Sequence, residues 1–254
     1  MKFDELDDIM RVFETSHDHC VLPGIYMVAR IDGRSFTTLT KAKGKFEAPF
    51  DVKFRDLMIE TTKHLMNCGF KVIYGFTESD EISLLFDLNI DVFGRKLRKF
   101  NSILSGEASS KFTLLFQDLA AFDCRTCQLP NKKLVVDYFR WRNEDAHRNA
   151  LNAHCYWMLR KEGMQKGKAT SYIERKSVAE KNDLLFSRGI NFNDISNWQK
   201  RGIGFYWIEE QKIGFNPKEK KEVITTRNVI KTDLELLMRD EYSAFIWKLL
   251  ERYE

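Results

Sequence analysis

The stretch KVIYGFTESDEISLLF, residues 71–86, decides the fold of this chain. Two short apolar runs, KVIYGF (71–76) and ISLLF (82–86), flank the compact polar connection TESDE. Apolar runs of this length on either side of a short polar turn are typical of two strands in a β-hairpin. The sequence therefore predicts an antiparallel strand pair whose turn carries Asp80 and Glu81.

Elements on both sides of this hairpin complete a topological pattern. The run GIYMVARI (24–31) predicts a buried strand, and residues 51–67 predict a helix. Residues 96–116 predict a second helix, and LVVDYF (134–139) predicts a fourth strand. The order strand, helix, strand, strand, helix, strand is that of the split βαβ sheet of ferredoxin-like proteins and of polymerase and cyclase palms. We expect an α+β fold with an antiparallel sheet and additional helices.

The predicted topology brings three acidic residues to one edge of the sheet. In a split βαβ sheet the first two strands run parallel, and the third lies between them in the opposite direction. The first strand ends at Asp32, so this residue should lie beside Asp80 and Glu81. Gly33 has no Cβ, so backbone groups there could approach a metal ion and a triphosphate closely.

These three acidic residues suit magnesium chemistry. Proteins usually hold Mg²⁺ with one or two carboxylates together with substrate phosphates. Two such ions can activate an attacking oxygen and stabilise a leaving pyrophosphate. Acidic residues also occur in ordinary turns, but the convergence of two acidic turns favours a metal-dependent site for phosphoryl or nucleotidyl transfer.

The two ends of the chain are predicted to add helices and a strand to this sheet. Phe3, Leu6, Met10 and Phe13 recur at helical spacing and predict an amphipathic N-terminal helix that docks either on its own chain or on a partner. The later predicted elements are a helix over 141–161, a connection over 162–169, a short helix over 172–180, a strand in GIGFYWIEE (202–210) and a final helix from about Asp233. We interpret 1–140 as a palm-like catalytic core and 141–254 as an extension within the same compact body.

Composition and charge narrow the class of protein. The 41 Lys and Arg against 37 Asp and Glu give a net charge of +4, which permits a polyanionic partner without requiring one. Five cysteines, an odd number, do not predict a disulfide framework, and a reducing cytoplasm fits them best. We expect neither a signal peptide nor a membrane-spanning segment.

Four ordered blocks of sequence resemble one enzyme family. They are ARIDGRSF (29–36), ESDEISLLF (78–86), WRNEDAHRNALNA (141–153) and AEKNDLLFSRGINFND (179–194). Together they resemble the tRNA-histidine guanylyltransferases and their prokaryotic relatives, the guanylyltransferase-like 3′-to-5′ polymerases. The resemblance covers roughly residues 5–210, and four blocks in order are far more specific than any single one.

The resemblance implies a palm fold and the addition of nucleotides to the 5′ end of tRNA. A 5′-monophosphorylated tRNA is first activated with ATP, and the 3′-hydroxyl of GTP or another nucleoside triphosphate then attacks the activated end. It also implies a cytoplasmic homotetramer and two Mg²⁺ ions. Site residues implied by the resemblance are Asp32, the Gly33 backbone, Asp80 and Glu81 for the metals and catalysis, and Arg34, Ser79, Lys96, Lys99, His147, Asn149, Asn152, Lys181 and Asn182 for nucleotide or RNA.

The chain departs from the family pattern in two places. Its HRNALNA segment keeps the His, the first Asn and the Leu of the family's H-I-N-N-L-Y-N motif, but differs at the other four positions. This loosening favours the prokaryotic branch and templated repair of truncated tRNA 5′ ends over the addition of one G to tRNA-histidine. Ala48 stands where relatives often carry a triphosphate-binding Lys, whose role would pass to Lys41, Lys43 or Lys45.

Other interpretations of the same residues stay open at this stage. A palm-type nucleotidyl cyclase would share the paired acids and would form product without RNA. An RNA-binding module with a degenerate site would bind tRNA without releasing pyrophosphate. Basic clusters at 41–45, 94–99 and 166–168 could contact RNA phosphates or simply be solvated.

Aromatic and cysteine residues give two weaker signals. Any of the five tryptophans could stack on unpaired bases, and Trp198 has the most polar flanks, although most tryptophans are expected in the core. Cys124 and Cys127, with Cys155 and a nearby histidine, could form a zinc site, but a second close pair is missing.

Overall fold

A single antiparallel sheet organises the molecule. The computed structural model describes residues 1–216 and 221–253. The strands are Tyr26–Gly33 (β1), Val72–Glu78 (β2), Glu81–Phe86 (β3), Phe122–Leu129 (β4), Ile203–Asn216 (β5) and Lys221–Asp233 (β6). They lie in the order β4-β1-β3-β2-β5-β6, and β3 pairs antiparallel with both β1 and β2. The predicted split βαβ arrangement is thus confirmed.

Helices cover both faces of the sheet. They are Phe3–Thr15 (α1), Phe36–Thr38 (α2), Val52–Met66 (α3), Leu97–Phe116 (α4), Lys132–Lys161 (α5), Lys166–Glu174 (α6), Val178–Phe186 (α7), Asn197–Arg201 (α8) and Arg239–Glu251 (α9). Helices α3 and α4 pack on one face of the sheet, and α5 and α9 pack on the other. The distal half of α5 forms a third apolar cluster with α6 and α7. No helix in the described ranges combines the length and apolarity needed to cross a bilayer.

Strand alternation decides which side chains reach which face. Met27, Ala29 and Ile31 of β1 are buried in the cluster with α3 and α4. Val28 is buried in the cluster with α5 and α9. Because successive side chains of a strand point to opposite faces, Asp32 shares the α5 face with Val28.

The predicted fourth strand is wrong. LVVDYF (134–139) is not a strand but the first part of α5, and the fourth strand is Phe122–Leu129. Val135, Phe139 and Ala146 are buried at helical spacing, so the apolar stripe continues unbroken into the segment predicted as helical. The proposed boundary at residue 140 lies inside this continuous helix.

The C-terminal elements also differ from prediction. Two helices, α6 and α7, replace the single short helix expected over 172–180. Asp233 ends β6, a strand that the sequence did not predict, and the final helix begins at Arg239. The N-terminal helix forms as predicted, but none of its residues is buried, so it does not pack on its own chain, and its role as an interface element stays a prediction.

Asp51 caps the start of α3, and its replacement provides a test of local stability. Its Oδ1 accepts hydrogen bonds from the backbone amides of Lys53 at 2.6 Å and Phe54 at 3.2 Å, and its Oδ2 accepts one from Glu47 at 2.7 Å. Burial acts to raise its pKa, but these amides hold the pKa of Asp51 below its ordinary value. We expect Asp51→Ala to lower the free energy of unfolding by about 1 kcal/mol at pH 7.

The pH dependence of this loss follows from the lowered pKa. A carboxyl group with a lower pKa in the folded state stabilises the protein above its unfolded pKa of about 4. This stabilisation disappears as the pH falls through the folded pKa. Urea unfolding should therefore show a smaller effect of Asp51→Ala at pH 3 than at pH 7. Asp51→Asn keeps a capping oxygen and serves as the control, and an equal loss at both pH values would contradict this account.

Candidate active site

A row of four carboxyl groups crosses the α5 face of the sheet. Asp32 of β1 pairs with Glu81 of β3 on one side and with Asp123 of β4 on the other. Glu81 in turn pairs with Glu78 of β2. Directly opposed residues of neighbouring antiparallel strands project to the same face. The pairing therefore gathers acidic side chains from four strands at one edge of the sheet.

The turn between β2 and β3 adds a fifth carboxyl group beside this row. The backbone amide of Gly33 donates a hydrogen bond to the carbonyl oxygen of Asp80 at 3.0 Å, so the end of β1 is tied to the turn. Ser79 has a left-handed backbone with φ of 51°, and its hydroxyl donates to Asp80 Oδ1 at 3.1 Å. A Cβ at Gly33 would lie 2.5 Å from the Phe36 ring, so only glycine fits this position. The structure thus brings Asp32 and Asp80 together.

Burial and the charge of neighbouring carboxyl groups make two members of this group, Asp80 and Glu78, hard to ionise. Burial raises the pKa of Asp80, and the neighbouring Asp32 raises it further. Burial raises the pKa of Glu78 to about 8, although Arg142 acts in the opposite direction. A divalent cation favours the ionised form of nearby carboxyl groups. Asp32 and Asp80 therefore provide oxygen ligands in surroundings where a cation would offset their repulsion.

Glu81 differs from the other carboxyl groups because two arginines hold it. Its Oε1 lies 2.7 Å from Arg142 Nε, and its Oε2 accepts a hydrogen bond from Arg142 Nη2 at 3.0 Å and also contacts Arg30. Burial raises the pKa of Glu81, whereas Arg142 and Arg30 lower it. The two arginines contact both carboxylate oxygens, although Oε1 accepts no hydrogen bond, so Glu81 orders this edge of the sheet. Its predicted role in holding a metal stays a prediction.

The acids do not form a complete metal cage by themselves. Within residues 1–216 and 221–253, no group of three or more His, Cys, Asp or Glu side chains is arranged to hold an ion. Magnesium sites commonly use one or two carboxylates and take their other ligands from water and substrate phosphates. The pair of Asp32 and Asp80 fits that pattern.

Two cavities meet at the β2–β3 turn. Both are lined by Pro49, Phe50, Glu78, Ser79 and Asp80. The first, here called the aromatic cavity, has a volume of about 450 Å³ and is also lined by Lys41, Phe46, Arg55, Tyr156, Trp157, Lys166 and Trp198, among others. The second, here called the charged cavity, has a volume of about 320 Å³ and is also lined by Arg30, Asp32, Glu81, Arg142, Asp145, Asn149 and Ala153.

The aromatic cavity combines flat rings with cationic groups. Trp198 lies beneath the Arg55 guanidinium, 5.0 Å from its central carbon to the ring centroid, and its centroid is 6.0 Å from that of Phe50. The Lys41 ammonium lies 5.3 Å from the Trp157 centroid. Aromatic faces can stack on bases and cations can pair with phosphates. The cavity therefore has the chemistry of a nucleotide site that opens onto Asp80.

Family comparisons agree with this geometry. A sequence model described as tRNAHis guanylyltransferase matches residues 7–130, and one described as the Thg1 C terminal domain matches residues 133–241. This chain belongs to the tRNA-histidine guanylyltransferase family. It is therefore a nucleotidyltransferase, and the resemblance seen in the four sequence blocks is confirmed.

Individual relatives extend over most of the chain. The tRNA(His) guanylyltransferase of Schizosaccharomyces pombe is 32% identical over 221 residues, which are 80% of this chain and 84% of the relative. A bacterial tRNA(His) guanylyltransferase-like protein solved with GTP has a TM-score of 0.76 at 25% identity, covering 97% of this chain and 99% of that one. The Saccharomyces cerevisiae enzyme has a TM-score of 0.73 at 28% identity, covering 88% and 96%. These matches support the palm-type fold of the family.

Three of the residues chosen by family resemblance lie at or near the cavities. Ser79 lines both cavities, and Asn149 lines the charged cavity, where its Nδ2 donates to Asp145 Oδ2 at 3.3 Å. Arg34 is exposed just beyond β1, and its backbone amide donates to the carbonyl oxygen of Ala121 at 2.8 Å.

The structure does not bring Lys96 and Lys99 to the acidic residues. Lys96 pairs with Asp18 at 2.8 Å, and Lys99 lies 5.9 Å from the Phe93 ring centroid. Arg95 anchors this segment by donating to the Ile25 carbonyl oxygen at 2.6 Å, at the start of β1. Both lysines therefore lie at the end of β1 opposite to the candidate metal site.

Four further residues chosen by family resemblance do not line either of the two cavities described above. They lie near the third apolar cluster, between α5 and α7. His147 is half-buried against Phe192, and burial together with nearby cationic groups lowers its pKa. Asn152 is partly buried on α5. The Lys181 carbonyl oxygen accepts a weak bond from Cys155 Sγ at 3.5 Å. Asn182 donates through Nδ2 to the Val178 carbonyl oxygen at 2.9 Å.

The structure also locates most of the lysine and cysteine residues that the sequence singled out. Lys41 lines the aromatic cavity, Lys45 is exposed, and the Lys43 side chain lies outside the part that the structure describes. Cys124 packs with the α4 side of the sheet, whereas Cys127 packs with the α5 side. The zinc interpretation is therefore wrong, because these two sulfur atoms lie on opposite faces.

Sequence reasoning missed Arg30, Arg142, Glu78 and Asp145. Arg30 precedes Asp32 by two positions, and strand alternation could have placed both on one face. The hairpin register pairs Glu78 with Glu81, so this register would place the Glu78 side chain on the same face. Arg142, Asp145 and Asn149 share one face of the helix predicted over 141–161, but the sequence does not show that this face docks beside the acidic residues.

Proposed function

We propose that this chain adds nucleotides in the 3′-to-5′ direction to the 5′ end of tRNA, guided by the opposite strand, to repair truncated ends. The observation that carries the proposal is the position of Asp80 where the aromatic and charged cavities meet, with Asp32 in the lining of the charged cavity. One cavity suits a nucleoside triphosphate, and the other gives the RNA end access to the same acids. The altered HRNALNA segment supports the repair branch over the addition of a single G.

The proposed reaction has two steps, activation and addition, and both take place where the two cavities meet. In activation, the 5′-monophosphate attacks the α-phosphate of ATP, and pyrophosphate leaves. In addition, the 3′-hydroxyl of the incoming nucleotide attacks the activated 5′ phosphate, and AMP leaves. Two Mg²⁺ ions held by Asp32, the Gly33 backbone and Asp80 would polarise the reacting phosphate and stabilise the leaving group. Ser79 lies where its hydroxyl can contact a phosphate, and Arg30 and Arg142 keep Glu81 in place.

Relatives supply the substrate classes. Their names specify tRNA(His), and bacterial guanylyltransferase-like proteins have been solved in complexes with GTP and with ATP. We extend both classes to this chain and place the activity in the cytoplasm, where five free cysteines stay reduced. We also propose the homotetramer that the family resemblance implies.

A templated-addition assay tests the proposal. The wild-type protein is incubated with Mg²⁺, ATP and a 5′-monophosphorylated tRNA that lacks its first nucleotide. Four versions carry each of the four bases opposite the gap, and each labelled nucleotide is supplied in turn. We expect extension by the nucleotide complementary to the opposite base, and none with full-length tRNA other than tRNA-histidine.

Other outcomes separate the alternatives. Addition of G to tRNA-histidine alone, whatever the opposite base, would restrict the enzyme to the narrower guanylyltransferase activity. Product from GTP or ATP without RNA would indicate a cyclase. Binding of tRNA without magnesium-dependent pyrophosphate release would indicate an RNA-binding module.

A further inference from the structure

Trp141 is a large exposed aromatic residue next to the candidate active site. Its side chain is 53% exposed, on α5. The central guanidinium carbons of Arg142 and Arg30 lie 4.6 and 5.9 Å from its ring centroid. The Arg142 side chain is only 5% exposed and that of Arg30 22%, so both guanidinium groups lie deeper in the protein than the indole. The outer part of the ring is left to solvent.

Neighbouring groups hold this indole in a fixed orientation. The Tyr138 ring meets it edge-on, with centroids 5.9 Å apart and planes at 76°. Tyr138 is itself held by a 2.9 Å hydrogen bond to Ser83 of β3. The two arginines are fixed by Glu81. A surface group that is already ordered loses little conformational entropy on binding, so Trp141 forms a preorganised platform.

The Trp141 platform lies close to Asp32, where the proposed function places the RNA 5′ end. Arg30 is two residues before Asp32 on β1, and the Cα atoms of such residues are about 7 Å apart. Arg125, the strand partner of Arg30, is exposed on edge strand β4 and lies 3.8 Å from Asp32. Trp141 contacts Arg30 and Arg125 contacts Asp32, so both side chains lie beside the candidate metal site.

We propose that Trp141 is a positioning residue that stacks on the 5′-terminal base of the RNA substrate, with Arg125 beside it to contact the RNA backbone. The inference rests on the proposed function, which brings an RNA 5′ end to Asp32. Every base has a face that can stack on an aromatic ring, so such a platform accepts different terminal nucleotides. The arginines beneath and beside the ring match the negative charge of RNA and favour it over an apolar protein partner.

Binding without turnover tests this inference. Two RNA stems with a 5′-monophosphate are compared, one with an ordinary 5′-terminal nucleotide and one with an abasic nucleotide there. We expect Trp141→Ala to weaken binding of the base-bearing stem about fivefold or more and to leave the abasic stem unchanged. Trp141→Phe should keep most of the affinity. Trp247→Ala, at an exposed tryptophan of α9 that donates to Glu251, is the matched control and should bind as wild type.

A second measurement uses the wild-type protein alone. A 2-aminopurine at the 5′ terminus of the RNA should lose fluorescence on binding, because stacking on an indole quenches it. Unquenched fluorescence, or an equal effect of Trp141→Ala on both stems, would overturn the inference even if one variant folds poorly. Because neither readout needs catalysis, a protein that stacks the terminal base but adds no nucleotide would disprove the proposed function and leave the role of Trp141 standing.

Discussion

Replacing Asp32 with Asn is expected to lower the rate of nucleotide addition by about a thousandfold or more. The substitution keeps the shape of the side chain but removes one of the two neighbouring carboxylates to which we assign the metal. Metal polarisation of a phosphoryl group contributes several kcal/mol to a transition state. A thousandfold loss corresponds to about 4 kcal/mol of activation free energy. Asp80→Asn should have an effect of the same size.

The fold should tolerate this substitution. Asp32 is partly exposed, and its contact with Arg125 is long at 3.8 Å, so less than about 1 kcal/mol of stability is at stake. Asp123→Asn is the matched control, because Asp123 is the strand partner of Asp32 yet lines neither of the two cavities. Single-turnover extension of a truncated tRNA should give a nearly normal rate for this control. A thousandfold loss in the control, or an unchanged rate for Asp32→Asn, would contradict the assignment of the metal ligands.

The acidic core of the site could be predicted because it depends on local patterns. The strands ending at Asp32 and flanking Asp80 are short, apolar and bounded by turn residues, and strand alternation with a split βαβ order then fixes their convergence. The helix over 97–116 was also clear from its periodicity. None of these inferences needed knowledge of distant side chains.

The rest of the site depends on features that a strand pattern does not carry. LVVDYF is rich in residues that favour strands, yet tertiary packing against the sheet makes it helical. The role of Arg142 has a different cause: its partner Glu81 lies 61 residues away, and only the docking of α5 brings the two together. The sequence does not predict edge strand β4, because its polar sequence FDCRTCQL lacks the apolar run that indicates a strand. Only part of this strand is buried.

Arg142 joins the two halves of the site, and its removal should have the largest effect on stability. Its side chain is 5% exposed and that of Glu81 is 9% exposed, so this is a buried ion pair between α5 and β3. Removing one partner of a buried pair leaves an uncompensated charge and typically costs 3–5 kcal/mol. Arg30 still contacts Glu81, so Arg142→Met should lie at the lower end, about 3 kcal/mol in the free energy of unfolding.

Urea unfolding of the wild type and four variants separates charge from packing in this pair. Arg148→Ala removes an exposed guanidinium that contacts Asp145 on the same helix, and this control should cost less than about 1 kcal/mol. Combining Arg142→Met with Glu81→Gln removes the stranded charge, so the double variant should be at least about 1 kcal/mol more stable than the sum of the single effects predicts. Simple additivity would mean that Arg142 stabilises the fold through its packing against Trp141, independently of Glu81.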